Sequence, residues 1–271
     1  MRSLLSATRW GAPASSVSQT WRLTQFGEGI ADAAESYDIL NLIRYFRVME
    51  TSPGTVAENT YQRIKTDIIF GRLAPDQKLK LEALRDRYGT SVSTLREILN
   101  RLATERLVVA EGQRGFEVAP VSAENLWELS SLRQLLECYA LELSFKAGDV
   151  DWEGRVVAAH HKLHQMEIRM MAGDRSVTEQ WKRYDWEFHQ SLISACGSRV
   201  LMDTHASVFD KYLRYQMLSL THRGQIAADE HRQLAEAALK HDAVTAQQIL
   251  SRHIVAGVEH SLAAKALQLV G

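Results

Sequence analysis

The stretch GRLAPDQKLKLEALRDRYGTSVSTLREILNRLATERLVVAEGQRGFEVAPVS, residues 71–122, decides the fold of the N-terminal half of the chain. Its segment LEALRDRYG predicts a short helix that ends at Gly89. The next segment, SVSTLREILNRLATERL, predicts a second helix whose apolar face is formed by Leu95, Ile98, Leu99 and Leu102. VVAEGQRGFEV then predicts two short strands joined by a turn. Helix, tight turn, helix and hairpin is the outline of a DNA-reading unit.

Upstream, residues 57–73 predict one more helix, because four large apolar residues recur at helical spacing: Tyr61, Ile64, Ile68 and Ile69. Residues 1–48 differ in character and superficially resemble an organelle transit segment. An upstream extension or a start-site error is the simpler interpretation, because Met49 directly precedes the first well-patterned helix. We expect residues 1–48 to be poorly ordered, apart from a short helix over 37–48, and residues 49–121 to form one domain.

The composition is that of a globular chain with room for two modest domains. It has 271 residues, of which 45% are hydrophobic and 24% charged, with a net charge of −1. No window approaches the roughly 18 apolar residues of a membrane span, so we expect no membrane partner. Cys138 and Cys196 have neither metal-type nor disulfide spacing, which favours a reducing cytoplasm. Any contact with nucleic acid must use a local basic patch.

Residues 71–122 resemble the winged helix-turn-helix of the GntR family. The positions that match the family pattern are Pro75, Leu79, Leu84, Gly89, Leu95, Arg96, Glu97, Leu99, Leu102 and Gly115. The resemblance implies that the recognition helix begins near Ser91 or Val92, and that Ser93, Thr94 and Arg96 contact double-stranded DNA. It also implies that Gly115 lets the wing backbone approach the minor groove.

The DNA-contact surface is predicted to depend on clustered basic residues: Lys78, Lys80, Arg85, Arg96 and Arg114. The alternative for Ser93 and Thr94 is that they cap the helix, and the alternative for Arg96 is a solvated face shared with Glu97. Val92 and Thr94 depart from the Arg and Pro that many family members carry at these positions.

Beyond Pro120 the pattern is entirely helical. Ser122 can cap a long first helix, and further helices are predicted at 153–172, 177–195, 199–218, 228–240 and 243–265. We therefore expect a mainly α protein, in which an N-terminal winged helix-turn-helix precedes an antiparallel bundle of about six helices. The bundle resembles the effector-binding domain of the FadR-like subfamily, which makes residues 122–271 the predicted effector-binding and dimerisation domain.

Within this region, DWEFH at 185–189 places an acid and an imidazole one helical turn apart on an apolar stripe. Burial of Asp185 and His189 is costly unless they hold each other, a ligand or a metal. His231 and His253 lie on apolar stripes of the last two helices, at similar distances from the turn near His241. Antiparallel packing would bring these two imidazoles level.

Three imidazoles and one carboxylate suit zinc or another divalent transition metal, with nickel and manganese as alternatives. In the metal-binding branch of the FadR-like subfamily, the ligands occupy the positions of Asp185, His189, His231 and His253. The remaining histidines are interpreted as a polar helix face or as structural: His160, His161, His164, His205, His222, His241 and His260. A catalytic metal would need an adjacent general base, and neither Glu187 nor Glu230 is convincingly placed.

The resemblance implies a homodimeric transcriptional regulator, a repressor, that binds a palindromic operator. It also implies that a small carboxylate at the metal site, from the dicarboxylates or amino-acid catabolites, changes the DNA affinity. Arg133 is the candidate partner for the effector, and its alternative is an ion pair with Glu137, one turn further on. The alternative functions are a metal-dependent enzyme that acts on a small organic acid and a regulator with a purely structural metal.

Overall fold

The computed structural model describes residues 55–110, 115–219 and 222–264, and it is mainly helical, as predicted. The predictions for residues 1–48, including the helix over 37–48, lie outside these ranges. Among the described residues, no helix is both long and apolar enough to cross a bilayer.

The N-terminal part is a three-helix unit followed by a hairpin. Its elements are α1 (Val56–Ile69), α2 (Leu81–Tyr88), α3 (Val92–Thr104), β1 (Val108–Ala110) and β2 (Phe116–Val118). Helix α2 ends at Gly89, whose φ of 68° is the left-handed conformation that glycine adopts without steric cost. Ser91 then caps α3, because its side chain accepts a hydrogen bond from the Thr94 amide. The two predicted helices are therefore confirmed, together with the turn between them.

The hairpin is antiparallel and pairs Val108 with Val118 and Ala110 with Phe116. A bridge between Lys78 and Glu117 connects the segment before α2 to this small sheet. Leu107, Val108 and Val118 are buried against the apolar faces of α1 and α3. The wing is thereby attached to the helices by apolar packing as well as by backbone hydrogen bonds.

The C-terminal part is a bundle of six helices, as predicted. These are α4 (Ala123–Ala147), α5 (Val150–Met171), α6 (Thr178–Ile193), α7 (Arg199–Ser219), α8 (Gln225–Leu239) and α9 (Ala243–Ala263). A short 3₁₀ turn, Arg175–Val177, precedes α6. Each observed end lies within three residues of the predicted one, and Ser122 caps α4 as expected.

Helix α6 lies inside the bundle, where it packs against α4 and α5. Ten of its sixteen residues are buried, among them polar and charged side chains. Helices α4 and α8 each pack against α9, and α5 packs against α8. Side chains that project from α6 therefore reach the region between α8 and α9, where an apolar core surrounds Phe188, Leu234 and Leu250.

The winged unit is joined to the bundle where α1 packs against α7. Ile69 from α1 shares a buried apolar cluster with Trp186, Phe209, Leu213 and Met217. We call this group the interdomain cluster. It stabilises the contact between the two parts because its apolar surface is removed from water.

Polar contacts reinforce this junction. The Lys65 ammonium lies 2.9 Å from the Asp210 carboxylate, and both side chains are largely buried. Burial alone would lower the pKa of Lys65, but Asp210 raises it above its ordinary value, so the ammonium stays charged. The guanidinium of Arg214 donates to the carbonyl of Ala119, at the end of the wing.

Truncation of Leu213 should test the junction. Leu213→Ala removes a buried side chain, which typically costs about 2 to 5 kcal/mol, so the free energy of unfolding in urea should fall by that amount. Val200→Ala, on the same helix but 78% exposed, should stay within about 0.5 kcal/mol of the parent. An unchanged free energy of unfolding for Leu213→Ala would show that the interdomain cluster is not formed in solution.

Candidate metal centre and nucleic-acid interface

Four side chains from three helices meet inside the bundle: Asp185 and His189 from α6, His231 from α8 and His253 from α9. All four are buried, and one ligand atom from each lies within 4.8 Å of the others. The antiparallel arrangement of α8 and α9 brings His231 and His253 level, with ring centroids 4.7 Å apart. The structure thus brings together the four residues that the sequence singled out.

The free nitrogens of this cluster fit a metal ion. His231 Nδ1 lies 2.6 Å from a Glu167 oxygen, so its Nε2 carries a lone pair. The Nε2 atoms of His189 and His231 are buried and have no hydrogen-bond partner among the described residues. His231 Nε2 also lies 3.3 Å from the Asp185 carboxylate. Buried nitrogens without partners are costly, and a cation between them would satisfy both.

The electrostatics favour the protonation states that bind metals. Burial alone would raise the pKa of Asp185, but the Lys182 ammonium holds it below its ordinary value. Burial lowers the pKa of both His189 and His253. An ionised carboxylate and neutral imidazoles are the forms that coordinate a divalent cation.

Arg133 forms the ion pair with Glu137 that sequence analysis left as the alternative. Its Nε lies 2.7 Å from Glu137, both side chains are almost completely buried, and the guanidinium lies over the rings of Phe209 and Tyr212. Glu137 also binds His205 Nε2 at 2.5 Å. Burial alone would raise the pKa of Glu137, but Arg133 and His205 hold it well below its ordinary value.

A cavity lies beside the cluster and has two cations in its wall, Lys182 and Arg223. Its lining includes Trp181, Lys182, Asp185, Gln216, Arg223, Ala227, His231, Gly257, His260 and Ser261. The Lys182 ammonium contacts Gln216 at 2.9 Å and Asp185 at 3.4 Å. Arg223 pairs with Glu230 at 2.7 Å. The cavity therefore combines positive charge with two of the candidate metal ligands.

Sequence analysis did not single out Glu167, Lys182 or Arg223. Two of them carried a usable signal, because Glu167 and Lys182 occupy buried stripe positions of amphipathic helices. That is the same signal that drew attention to Asp185. Arg223 precedes α8 and has no periodicity that would have marked it.

At the N-terminus of α3, three hydroxyls lie close together. Ser91 Oγ lies 2.8 Å from Ser93 Oγ and 2.9 Å from Thr94 Oγ1. The cap itself is Ser91, and Ser93 and Arg96 are exposed. Exposed hydroxyls and amides at a helix N-terminus suit phosphate groups, and an exposed arginine can bind guanine.

Three other predicted DNA contacts, Lys78, Lys80 and Arg85, precede this helix in the chain. Lys78 and Lys80 are exposed, and within the described ranges no carboxylate pairs with either of them. Arg85 is exposed but pairs with Glu82 at 2.6 Å and with Asp86 at 3.0 Å. Its charge is therefore partly neutralised.

At the wing, Gly115 has a φ of 100°, and a Cβ at this position would meet no atom of the described residues within 4 Å. Glycine adopts this φ readily, whereas residues with a side chain rarely do. Arg114 lies outside the described residues, so its role stays a prediction.

Two family models match the chain. Residues 56–118 match the gntR family of bacterial regulatory proteins, and residues 128–256 match the FCD domain. The first range contains α1 to β2, and the second contains all four candidate metal ligands.

Similar proteins agree with these matches. The HTH-type transcriptional regulator BphR of Paraburkholderia xenovorans is 35% identical, over 75% of this chain and 84% of its own length. The HTH-type transcriptional repressor GlaR of Escherichia coli is 30% identical, over 72% of this chain and 90% of its own length.

A crystal structure of a GntR regulator from Rhodococcus sp. RHA1 has the same fold. Its TM-score is 0.64 at 21% identity, and the match covers 78% of this chain and 99% of that one. The family match also decides between regulator and enzyme, in favour of the regulator. This chain belongs to the GntR family and is a DNA-binding transcriptional regulator with an FCD domain.

Proposed function

We propose that this protein is a homodimeric repressor whose affinity for a palindromic operator changes when a small carboxylate binds a divalent metal ion at Asp185, His189, His231 and His253. The observation that carries the proposal is the convergence of four buried ligand atoms within 4.8 Å. Two E. coli relatives, GlaR and RspR, are named transcriptional repressors, which supports repression rather than activation. The protein would act on DNA in the cytoplasm.

Zinc is the proposed metal, with nickel and manganese as alternatives. Three imidazole nitrogens and one carboxylate oxygen are a donor set that zinc accepts readily. Four protein ligands can also leave coordination positions open when the metal takes five or six ligands. Those positions would bind the carboxylate of the effector. A small organic anion can thereby join the centre without displacing a protein side chain.

The charges around the centre support an anionic effector. Four carboxylates lie in or next to it, Asp185, Glu137, Glu167 and Glu230, against three cations, Arg133, Lys182 and Arg223. With neutral histidines this leaves one negative charge, and a divalent metal ion reverses the sign. The metal-bound site would then attract a carboxylate.

Lys182 and Arg223 are the proposed partners of the effector. Both line the cavity beside Asp185 and His231. Arg133, the residue suggested by the sequence, instead has its guanidinium held by Glu137 and covered by aromatic rings. Arg133 is also not among the residues that line the cavity.

The proposed control depends on α6, which takes part in both sites. Asp185 and His189 face the cluster, while Trp186 packs against Phe209 in the interdomain cluster, with ring centroids 4.2 Å apart. A ligand changes DNA affinity only if it binds two arrangements of the domains with different affinity. A shift of α6 on ligand binding would reach Ile69 of α1 through direct contacts.

Dimerisation is proposed because a helix-turn-helix unit reads one half-site, and two-fold symmetric dimers read palindromes. Residues 122–271 would supply both the dimer contact and the effector site. Analytical ultracentrifugation of the full chain would show the oligomeric state directly.

Loss of a ligand should uncouple the metal from DNA control. His189→Ala and His253→Ala should each lower the metal content per chain, measured by atomic emission after dialysis, because one of four ligands is removed. Basal binding to an operator selected from random oligonucleotides should persist, whereas the effector response should disappear. His161→Ala, on the exposed face of α5, is the matched control. A His253→Ala protein with a full metal complement would show that the four residues are not one site.

Replacement of Lys182 should separate effector binding from metal binding. A series of short dicarboxylates should raise the Tm of the zinc-loaded parent in a thermal-shift assay, and removal of zinc should abolish the shift. Lys182→Met keeps the size of the side chain but removes its charge, so it should retain zinc and lose most of the carboxylate-induced shift. If Lys182→Met responded like the parent, the cavity would not be the effector site.

Arg96 should contribute to operator affinity. Arg96→Ala should weaken specific binding by about 1 to 3 kcal/mol in a gel-shift titration, because an exposed guanidinium can bind guanine through two hydrogen bonds. Arg232→Ala, an exposed arginine on α8 in the bundle, should leave the affinity unchanged. Equal affinity of the Arg96→Ala protein and the parent would remove Arg96 from the DNA contact.

A further inference from the structure

A carboxylate lies behind each of the three candidate metal-binding histidines. Glu167 contacts His231 Nδ1 at 2.6 Å. Glu230 lies 2.8 Å from His253 Nδ1 and Glu137 lies 3.5 Å from His189 Nδ1. Each of these two nitrogens is also contacted by a guanidinium, that of Arg223 at 2.8 Å and that of Arg133 at 3.3 Å. Because a guanidinium only donates, His231 is the histidine whose Nδ1 meets a carboxylate alone among the described residues.

This arrangement has a chemical consequence. When the Nδ1–H group of a neutral imidazole donates a hydrogen bond to a carboxylate, the lone pair is on Nε2, and the ring is held in one orientation. The carboxylate also increases the electron density of the ring and so strengthens the bond from Nε2 to a cation. In this chain His231 Nε2 lies 3.3 Å from the Asp185 carboxylate of the cluster and is buried without a hydrogen-bond partner among the described residues.

We propose that Glu167 is a positioning residue that sets the affinity of the centre for its metal by acting through His231. The inference rests on the proposed metal site and assigns to it a residue from a helix that supplies no ligand. Glu167 is fully buried, at 0% exposure. Its Oε1 accepts from His231, and its Oε2 is buried without a hydrogen bond, 3.6 Å from His164 Nδ1.

Glu167 is the clearest of the three carboxylates because it has the fewest other contacts. Glu137 also holds Arg133 and His205, and Glu230 is shared with Arg223. A change at either of those residues would disturb ion pairs as well as a histidine. Among the described residues, the hydrogen bond of Glu167 is with His231, and its other polar neighbour, His164, lies 3.6 Å away, so a substitution there acts mainly on one interaction.

The test is the zinc affinity of the full-length Glu167→Gln protein, measured by competition with a chromophoric chelator. Glutamine keeps the size of the side chain and can still accept from His231, but it removes the charge. We expect about 10- to 100-fold weaker zinc binding. The visible absorption spectrum of the cobalt-substituted protein should change as well. Glu153→Gln is the matched control, because Glu153 lies on the same helix and pairs with His241 at 2.9 Å.

A double-mutant cycle shows whether Glu167 acts through His231. In the His231→Ala protein the imidazole through which Glu167 acts is absent. Adding Glu167→Gln to that protein should therefore weaken zinc binding no further. If the two losses simply add, or if Glu167→Gln binds zinc as tightly as the parent, the inference is wrong. Should the Glu167→Gln protein fail to fold, Glu167→Asp, which keeps the charge but shortens the side chain, is used with the same expected loss of affinity. A parent protein that binds no metal would overturn the proposed function itself and this inference with it.

Discussion

The burial of charge around Asp185 constrains the whole helical domain. A carboxylate that is only 5% exposed loses most of its hydration, which costs several kcal/mol unless nearby charges replace the lost water. Here the replacement comes from the Lys182 ammonium on the same helix, 3.4 Å away, while the imidazoles of α6, α8 and α9 lie around the carboxylate. These helices must therefore keep a fixed register, because a slip of one residue would turn the polar side chains away from each other.

Much of this architecture could be predicted from the chain alone. Apolar stripes marked the helices, Ser122 marked the start of α4 and Gly89 marked the end of α2. The cap of α3 is Ser91, whereas the sequence offered Ser93 and Thr94 as caps. The proximity of His231 and His253 was also predictable, because both lie at similar distances from the turn that joins α8 and α9. Spacing along a helix and around a tight turn is the information that a sequence carries directly.

Contacts across helices that are distant in sequence could not be predicted in the same way. Ile68 and Ile69 are both apolar neighbours on α1, yet Ile68 packs inside the winged unit and Ile69 enters the interdomain cluster. For Arg133, spacing allowed an effector contact and a pair with Glu137 equally, and only the packing of Phe209 and Tyr212 around the guanidinium distinguishes them. Such choices depend on how the helices dock, which periodicity does not describe.

The cavity wall and the interdomain cluster share helices α6 and α7 but not α8 and α9. Helices α8 and α9 supply half of the ten wall residues, among them Ala227 and Ser261, and no member of the interdomain cluster. Substitutions at Ala227 and Ser261 can therefore reshape the cavity without changing a residue that links the bundle to the winged unit, whereas a Cβ at Gly257 would lie 2.9 Å from the Tyr212 hydroxyl of α7. A fold of this kind can acquire specificity for a new ligand while the contact between the bundle and the DNA-binding unit is kept, which makes it a natural starting point for engineered biosensors.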